Sequence, residues 1–232
     1  MKSIIILILL FLQSSHILAS EEIYLEKAPI DLSDQPSLQK GARTFINYCL
    51  NCHSAKYMRY NKLLDIGLSK KDIKDNLLFT GKKIGDPMEI SMPVSESKKW
   101  FGAAPPDLSV VARSRGSDWI YSYMKGFYRD RSREIGWNNL VYANSAMPHI
   151  LWELQGEQGL DEKTGKLTLM KAGKLNQKEY DAVIADLTNY ITFMSEPDKL
   201  KRKKMGFYVV GFLLLLLLLT IKLKKEFWRD VK

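Results

Sequence analysis

Two cysteines are all that the 232 residues contain, and both fall in one pentapeptide, Cys49-Leu50-Asn51-Cys52-His53. Spaced i, i+3 with an imidazole directly after, the three side chains face one side of a helical turn. Two thiols so placed can add to the two vinyl groups of a haem while His53 reaches the iron, and this is the spacing of c-type haem attachment. Such a chain can pack loops against a rigid apolar disc, so regular elements need not fill the whole domain. Other uses of two cysteines fit less well. A thioredoxin-type pair sits at the start of a helix after a strand, with any histidine between its cysteines. A structural zinc site needs four ligands, and beyond residue 20 the Cys/His set has only His149 left to add. A short-range disulfide has no use for His53.

Charge locates the membrane. The net charge of +9 looks like a nucleic-acid footprint until it is divided along the chain. Residues 21–198 are balanced, with 24 Lys+Arg against 24 Asp+Glu, while residues 199–232 carry 10 against 2. The excess therefore flanks one greasy segment, which is the pattern of a membrane surface and excludes nucleic acid as a partner. That segment, Met205 to Ile221, has no charge in 17 residues. As a helix it covers about 26 Å, and Lys204 and Lys222 can snorkel to complete a span. A second apolar run, Ile4 to Leu12, follows Lys2 and precedes small residues at Ala19 and Ser20. It is too short to span and has the layout of a secretory signal. Five basic residues lie on each side of the 205–221 segment, so the positive-inside count is a draw. The signal decides the orientation. The reading is a signal peptide at 1–20, an exported domain at 21–198, a basic juxtamembrane linker at 199–204, a transmembrane helix at 205–221 and a cytoplasmic tail at 222–232.

Within the exported domain the fold class is mainly α. Leu38, Ala42, Phe45, Ile46 and Cys49 recur at three- and four-residue spacing, predicting a helix over 37–49. Asn176 with Glu179 forms a capping box for a last helix, whose apolar stripe runs from Tyr180 to Met194 until Glu196-Pro197 stops it. A third helix is expected over 117–128, and a small hairpin over 161–175 around Thr164-Gly165-Lys166. Residues 81–108 hold four of the eight prolines and read as ordered loop.

His53 supplies one axial ligand, and the second is commonly Met or His. Met124 and Met194 lie on apolar helical faces and read as core. Met170 falls in the hairpin, and Met58 is too near the motif to cross to the other haem face. Met147-Pro148 and Met92-Pro93 remain, each in a loop where proline holds the backbone extended. His149 is a further candidate. The residues alone favour Met147 without excluding Met92 or His149.

Longer stretches carry a family resemblance. Gly41, Phe45 and Cys49 resemble the N-terminal helix of the class I cytochrome c fold, where the glycine lets the first helix cross the last, here against Leu187 and Tyr190. GAAPPDLSVVARSRG (102–116) and NSAMPHILWELQG (144–156) resemble cytochrome c1, the haem subunit of the cytochrome bc1 complex, and the order of parts agrees over nearly the whole chain. The resemblance implies a class I cytochrome c-like haem domain with long loop insertions, plus one C-terminal transmembrane helix. It implies one haem c on Cys49, Cys52 and His53, with Met147 as the second ligand to iron. It also implies that Arg115 pairs with a haem propionate, with Arg113 next in line, and that Pro105 and Pro106 lie against the haem. No extra cysteines stand in the loops, so no stabilising disulfide is expected.

The implied function is relay of single electrons from the Rieske iron–sulfur protein to a cytochrome c, beside cytochrome b, with the haem domain in the periplasm of a bacterial inner membrane. Quinol oxidation belongs to cytochrome b and the Rieske cluster, so the chain is a redox subunit and not an enzyme on its own. Two alternatives are a free-standing membrane-anchored cytochrome c feeding a terminal oxidase, and a haem enzyme such as a peroxidase.

Overall fold

The computed structural model describes residues 24–230. The expected signal peptide at 1–20 lies outside the described residues, as do the last two residues of the expected tail. Helix α1 spans Gln35–Thr44. The Asp34 carboxylate caps it by accepting from the Ser37 N–H at 3.0 Å, and a proline stands in its first turn, where the missing N–H costs nothing. The predicted helix over 37–49 does not stay in the α form to its end. Phe45–Cys49 is a single π turn, closed by the Leu50 N–H donating to the Phe45 carbonyl at 3.0 Å. Such widened turns favour functional positions, and this one delivers Cys49 to the haem-attachment motif.

After the motif come strand β1 (Ala55–Arg59), a 3₁₀ segment (Tyr60–Ile66), α2 (Lys70–Asn76), β2 (Pro87–Met88) and α3 (Val94–Phe101). Next are α4 (Val111–Arg115), α5 (Ser117–Lys125), β3 (Phe127–Arg129), β4 (Trp137–Asn139) and the short α6 (Trp152–Gln155). Strands β5 (Gly156–Asp161) and β6 (Lys166–Ala172) precede α7 (Gln177–Ser195) and α8 (Lys199–Phe227). The strands form three separate antiparallel ribbons, β1–β2, β3–β4 and β5–β6. The domain is thus mainly α, with ribbons and loops around a helical pair.

That pair is α1 crossing α7. Asn176 and Glu179 make the capping box read from the sequence, with the two reciprocal hydrogen bonds at 3.0 and 2.9 Å. At the crossing, Gly41 lies directly on the Asp186 backbone, and Tyr190 flanks it. The expected partners were Leu187 and Tyr190, so the closest contact falls one residue earlier. The Phe45 and Tyr190 rings meet at 5.6 Å, and the Asn189 amide donates to the Asp31 carbonyl at 2.7 Å. Phe45, Ile184, Leu187 and Tyr190 are wholly buried there.

Three boundaries differ from expectation. Helix α5 stops at Lys125, and Phe127–Arg129 pairs as β3 with β4, because Gly126 ends the helix and its carbonyl accepts from the Leu140 N–H at 2.9 Å. The hairpin turns at the expected place but reaches back to Gly156, whose φ of 97° brings its backbone against Lys171 and Gly173. Residues 81–108, expected as loop, contain β2 and α3. Pro93 leads into α3, and Gly102 ends it with a φ of 76°.

Only Glu196, Pro197 and Asp198 separate α7 from α8. Glu196 accepts from Arg202 at 2.8 Å, lies 3.4 Å from Lys199 and 3.9 Å from Arg113, and is shielded to 17% side-chain exposure. Residues 199–204, expected as a linker, are the first turns of α8. This is the one helix among the described residues long and apolar enough to cross a membrane, and none of its apolar stretch is buried against the domain.

Candidate haem site

The π turn and the bend after it bring the attachment motif to one wall of an apolar cleft of about 370 Å³, lined by Cys49, Cys52 and His53. The Cys52 and His53 N–H groups both donate to the Cys49 carbonyl, at 3.1 and 2.9 Å, which folds the pentapeptide into a single turn. The cysteines are free thiols. Burial pushes the Cys49 thiol up to about 12 and raises Cys52 as well.

His53 is oriented by its own hydrogen bond. Its Nδ1 lies 2.8 Å from the Pro106 carbonyl oxygen. A carbonyl only accepts, so the proton sits on Nδ1 and the Nε2 lone pair is left bare, the tautomer that ligates a metal. Burial lowers the proton affinity of the ring, against the opposing pull of Pro106 and Asp107, and keeps the imidazole neutral.

The loop carrying Pro106 is sewn to the segment just after the motif. The Leu108 N–H donates to the Ser54 carbonyl at 2.8 Å, the Lys56 N–H to Asp107 at 3.0 Å and the Tyr57 N–H to the Ser109 hydroxyl at 3.1 Å. Pro105 and Pro106, which the resemblance sets against the haem, line the cleft. Two prolines in sequence hold this wall stiff, since neither φ can rotate.

Another wall comes from the loop between β4 and α6, where Met147 lines the cleft half-buried. This loop is shaped by asparagines. Asn139 donates to the Tyr123 carbonyl at 2.8 Å and accepts from the Val141 N–H at 2.8 Å. Asn138 accepts from the Asn144 N–H at 2.8 Å, and Asn144 takes a φ of 60°, which asparagine tolerates. The Ser145 hydroxyl bonds to the Tyr123 hydroxyl at 2.7 Å and accepts from the Met147 N–H at 3.3 Å.

Arg115 lines the same cleft, its guanidinium 5.2 Å from the Trp119 ring centroid and 5.9 Å from that of Tyr142. Trp119 in turn stacks on Tyr123 at 4.8 Å. Among the described residues Arg115 has no carboxylate within ion-pair distance, whereas Arg113 faces Glu196.

The other candidate ligands separate by position. Met92 does not line the cleft; Met88, Met58 and Met194 are core, and Met170 is exposed. Met124 does line it, so two thioethers reach the cleft where helical periodicity read one of them as core alone. His149 is buried beside the cleft without lining it, and burial, with Arg129 adding to it against Gln155, lowers its imidazole to about 4. Sequence reasoning missed Trp119, Tyr123 and Tyr142 as parts of the site; aromatic residues on a helix face carry no mark distinguishing a cofactor wall from core.

The cleft fits a haem by its chemistry: apolar walls, two thiols and a bare Nε2 on one side, thioethers elsewhere and a free guanidinium among the lining groups. Comparison with known proteins agrees. A sequence model of the Cytochrome C1 family matches residues 24–78 and 80–231. The chain is 42% identical to cytochrome c1 of Allochromatium vinosum over the full length of both. It is 49% identical over 213 residues to a Nitrosomonas europaea protein named ammonia monooxygenase gamma subunit, covering 92% of this chain and 91% of that one. The mitochondrial cytochrome c1 haem protein of Schizosaccharomyces pombe is 27% identical over 226 residues, 86% of this chain and 68% of that one.

Proposed function

Because this chain belongs to the cytochrome c1 family, a family with covalently bound haem c, we propose that it relays single electrons from a Rieske iron–sulfur protein to a cytochrome c, beside cytochrome b in a bc1 complex. The carrying observation is the convergence of Cys49, Cys52 and His53 with Met147 and Arg115, from distant parts of the sequence, on one cleft. Bound haem c supplies a one-electron iron couple. Cys49 and Cys52 would hold the group covalently, and His53 and Met147 would ligate its iron. The Nδ1–H bond to Pro106 keeps His53 in the ligating tautomer and prevents ring rotation. Pro105 and Pro106 would lie against the haem. Arg115, which meets no carboxylate among the described residues, would pair with a propionate. Apolar walls exclude water and favour the less charged ferrous state.

In this reading α8 spans a bacterial inner membrane with the haem domain in the periplasm. Protease applied to the periplasmic face then digests the domain and spares the tail after Lys222; protection of the domain overturns the orientation.

The relative named as an ammonia monooxygenase subunit favours one second reading, in which the same relay domain serves a monooxygenase. Purification of the tagged chain from native membranes, with its subunit list and optical spectrum, separates the readings. Cytochrome b and a Rieske protein copurify under the first, and monooxygenase subunits under the second. Isolation alone or with a terminal oxidase overturns both.

A further inference from the structure

His149 plays no part in the relay as described, yet it is among the most enclosed polar residues of the domain. The residue is 1% exposed; the buried Gln155 amide is near enough to oppose the lowering of its imidazole, but neither ring nitrogen meets a partner at full hydrogen-bond geometry among the described residues. The close contacts that fix the plane of the ring are aromatic ones. The Phe127 ring lies parallel to the imidazole at 4.9 Å and 7°, and the Trp137 ring meets it edge-on at 5.1 Å and 82°. Those two rings belong to paired strands, β3 and β4, so the slot is fixed by a backbone ladder. Arg129 closes its outer side, 3.9 Å over the Trp137 ring and donating to Glu157 at 2.8 Å.

The loop that leaves β4 passes the cleft at Met147 and comes back into this slot at His149. Its near end is already tied through Asn138, Asn139 and the Ser145 hydroxyl. Between Met147 and His149 stands Pro148, whose φ cannot rotate. Few torsions therefore separate the thioether from a ring clamped on two faces.

We propose that His149 is a positioning residue for Met147: seated flat in the Phe127–Trp137 slot, its ring fixes the far end of the loop and so holds the thioether at the cleft wall. The proposal rests on the reading of Met147 as an axial ligand. The seat depends on a flat plate, so a phenyl ring serves, while an aliphatic group of similar bulk fills the slot without stacking.

The test uses the full-length haem-loaded protein and compares His149→Phe, His149→Leu and Met147→Ala. Each is read by covalent haem content, by the Met–Fe(III) charge-transfer band and by carbon monoxide binding to the reduced haem. His149→Leu is expected to keep covalent haem, weaken the band and bind carbon monoxide at least tenfold more than wild type, whereas His149→Phe restores both signatures. Should His149→Leu fail to assemble, Trp137→Leu removes the slot's edge-on wall from the other side and is expected to give the same opening. A native band and no carbon monoxide binding in the assembled leucine variant overturns the proposal, as does a phenylalanine variant that opens as fully as leucine. Met147→Ala distinguishes the two levels. If it keeps the band, the ligand reading falls and the proposal with it; if it loses the band while His149→Leu keeps it, the proposal alone falls.

Discussion

Gly41 and Asp186 are in backbone contact: a Cβ built on Gly41 would overlap the Asp186 carbonyl oxygen and stand 2.7 Å from the Tyr190 Cβ. Neither neighbour is a flexible side-chain tip, so a methyl group there must push α1 and α7 apart. Gly41→Ala is expected to cost about 3 kcal/mol, the upper end of ordinary overpacking. For a domain of this size that lowers the thermal midpoint of the haem-loaded protein by roughly 6–12 °C. A midpoint within about 2 °C of wild type would show that the crossing is looser than described.

Covalent attachment is tested by removing both thiols. Cys49→Ala with Cys52→Ala abolishes haem staining of the chain on a denaturing gel. Since both side chains sit at the cleft wall and neither bonds another residue, loss of stain with the chain still present in the membrane reports attachment rather than breakage of a disulfide. Stain persisting at the same mass contradicts the motif reading.

Met147 and Met124 both reach the cleft, and the reduction potential discriminates them. A thioether is a soft, weak donor that favours Fe(II), so Met147→His supplies a harder nitrogen and stabilises Fe(III). The potential is expected to fall by some hundreds of millivolts, within the ~0.8 V that axial ligands span. Even a fall of about 180 mV disfavours reduction a thousandfold, because about 59 mV is tenfold for one electron. Met124→Leu and Met92→Leu leave the potential nearly unchanged. A large drop at either of those positions, with none at Met147, reassigns the ligand.

Arg115 and Arg113 stand two residues apart and do different work. Removing a cation near the haem makes the incoming electron less welcome, so Arg115→Leu lowers the potential, by about 1 kcal/mol or roughly 40 mV for a solvent-screened charge. Arg113→Leu leaves the potential in place, because its guanidinium faces Glu196. Redox titration of the two variants side by side decides it. Equal shifts would mean that the propionate is shared.

Covalent chemistry and period were the legible parts of this chain. The motif at 49–53 and the capping box at Asn176 are local in sequence, and so is the apolar run at 205–221; each needs only near neighbours to be recognised. Helix α3 escaped notice because its eight residues are too few for a periodic signal, and Pro93 and Pro105 on either side argue for loop. The end of α5 was misjudged because Phe127 and Tyr128 continue its apolar pattern; only pairing with Trp137 and Asn139 makes them a strand, and that pairing is not local. The same holds for the slot around His149, which joins three separate stretches, and for Met124, whose helical stripe serves core and cleft at once.

Glu196 gives the final consequence. Facing Arg113 on a helix of the cleft on one side and Lys199 and Arg202 of α8 on the other, it ties the haem-bearing domain to the apolar helix through ion pairs whose basic partners are exposed, each worth at most about 1 kcal/mol. In the proposed relay such a junction sets a preferred attitude of the haem domain toward the bilayer, and added salt loosens it.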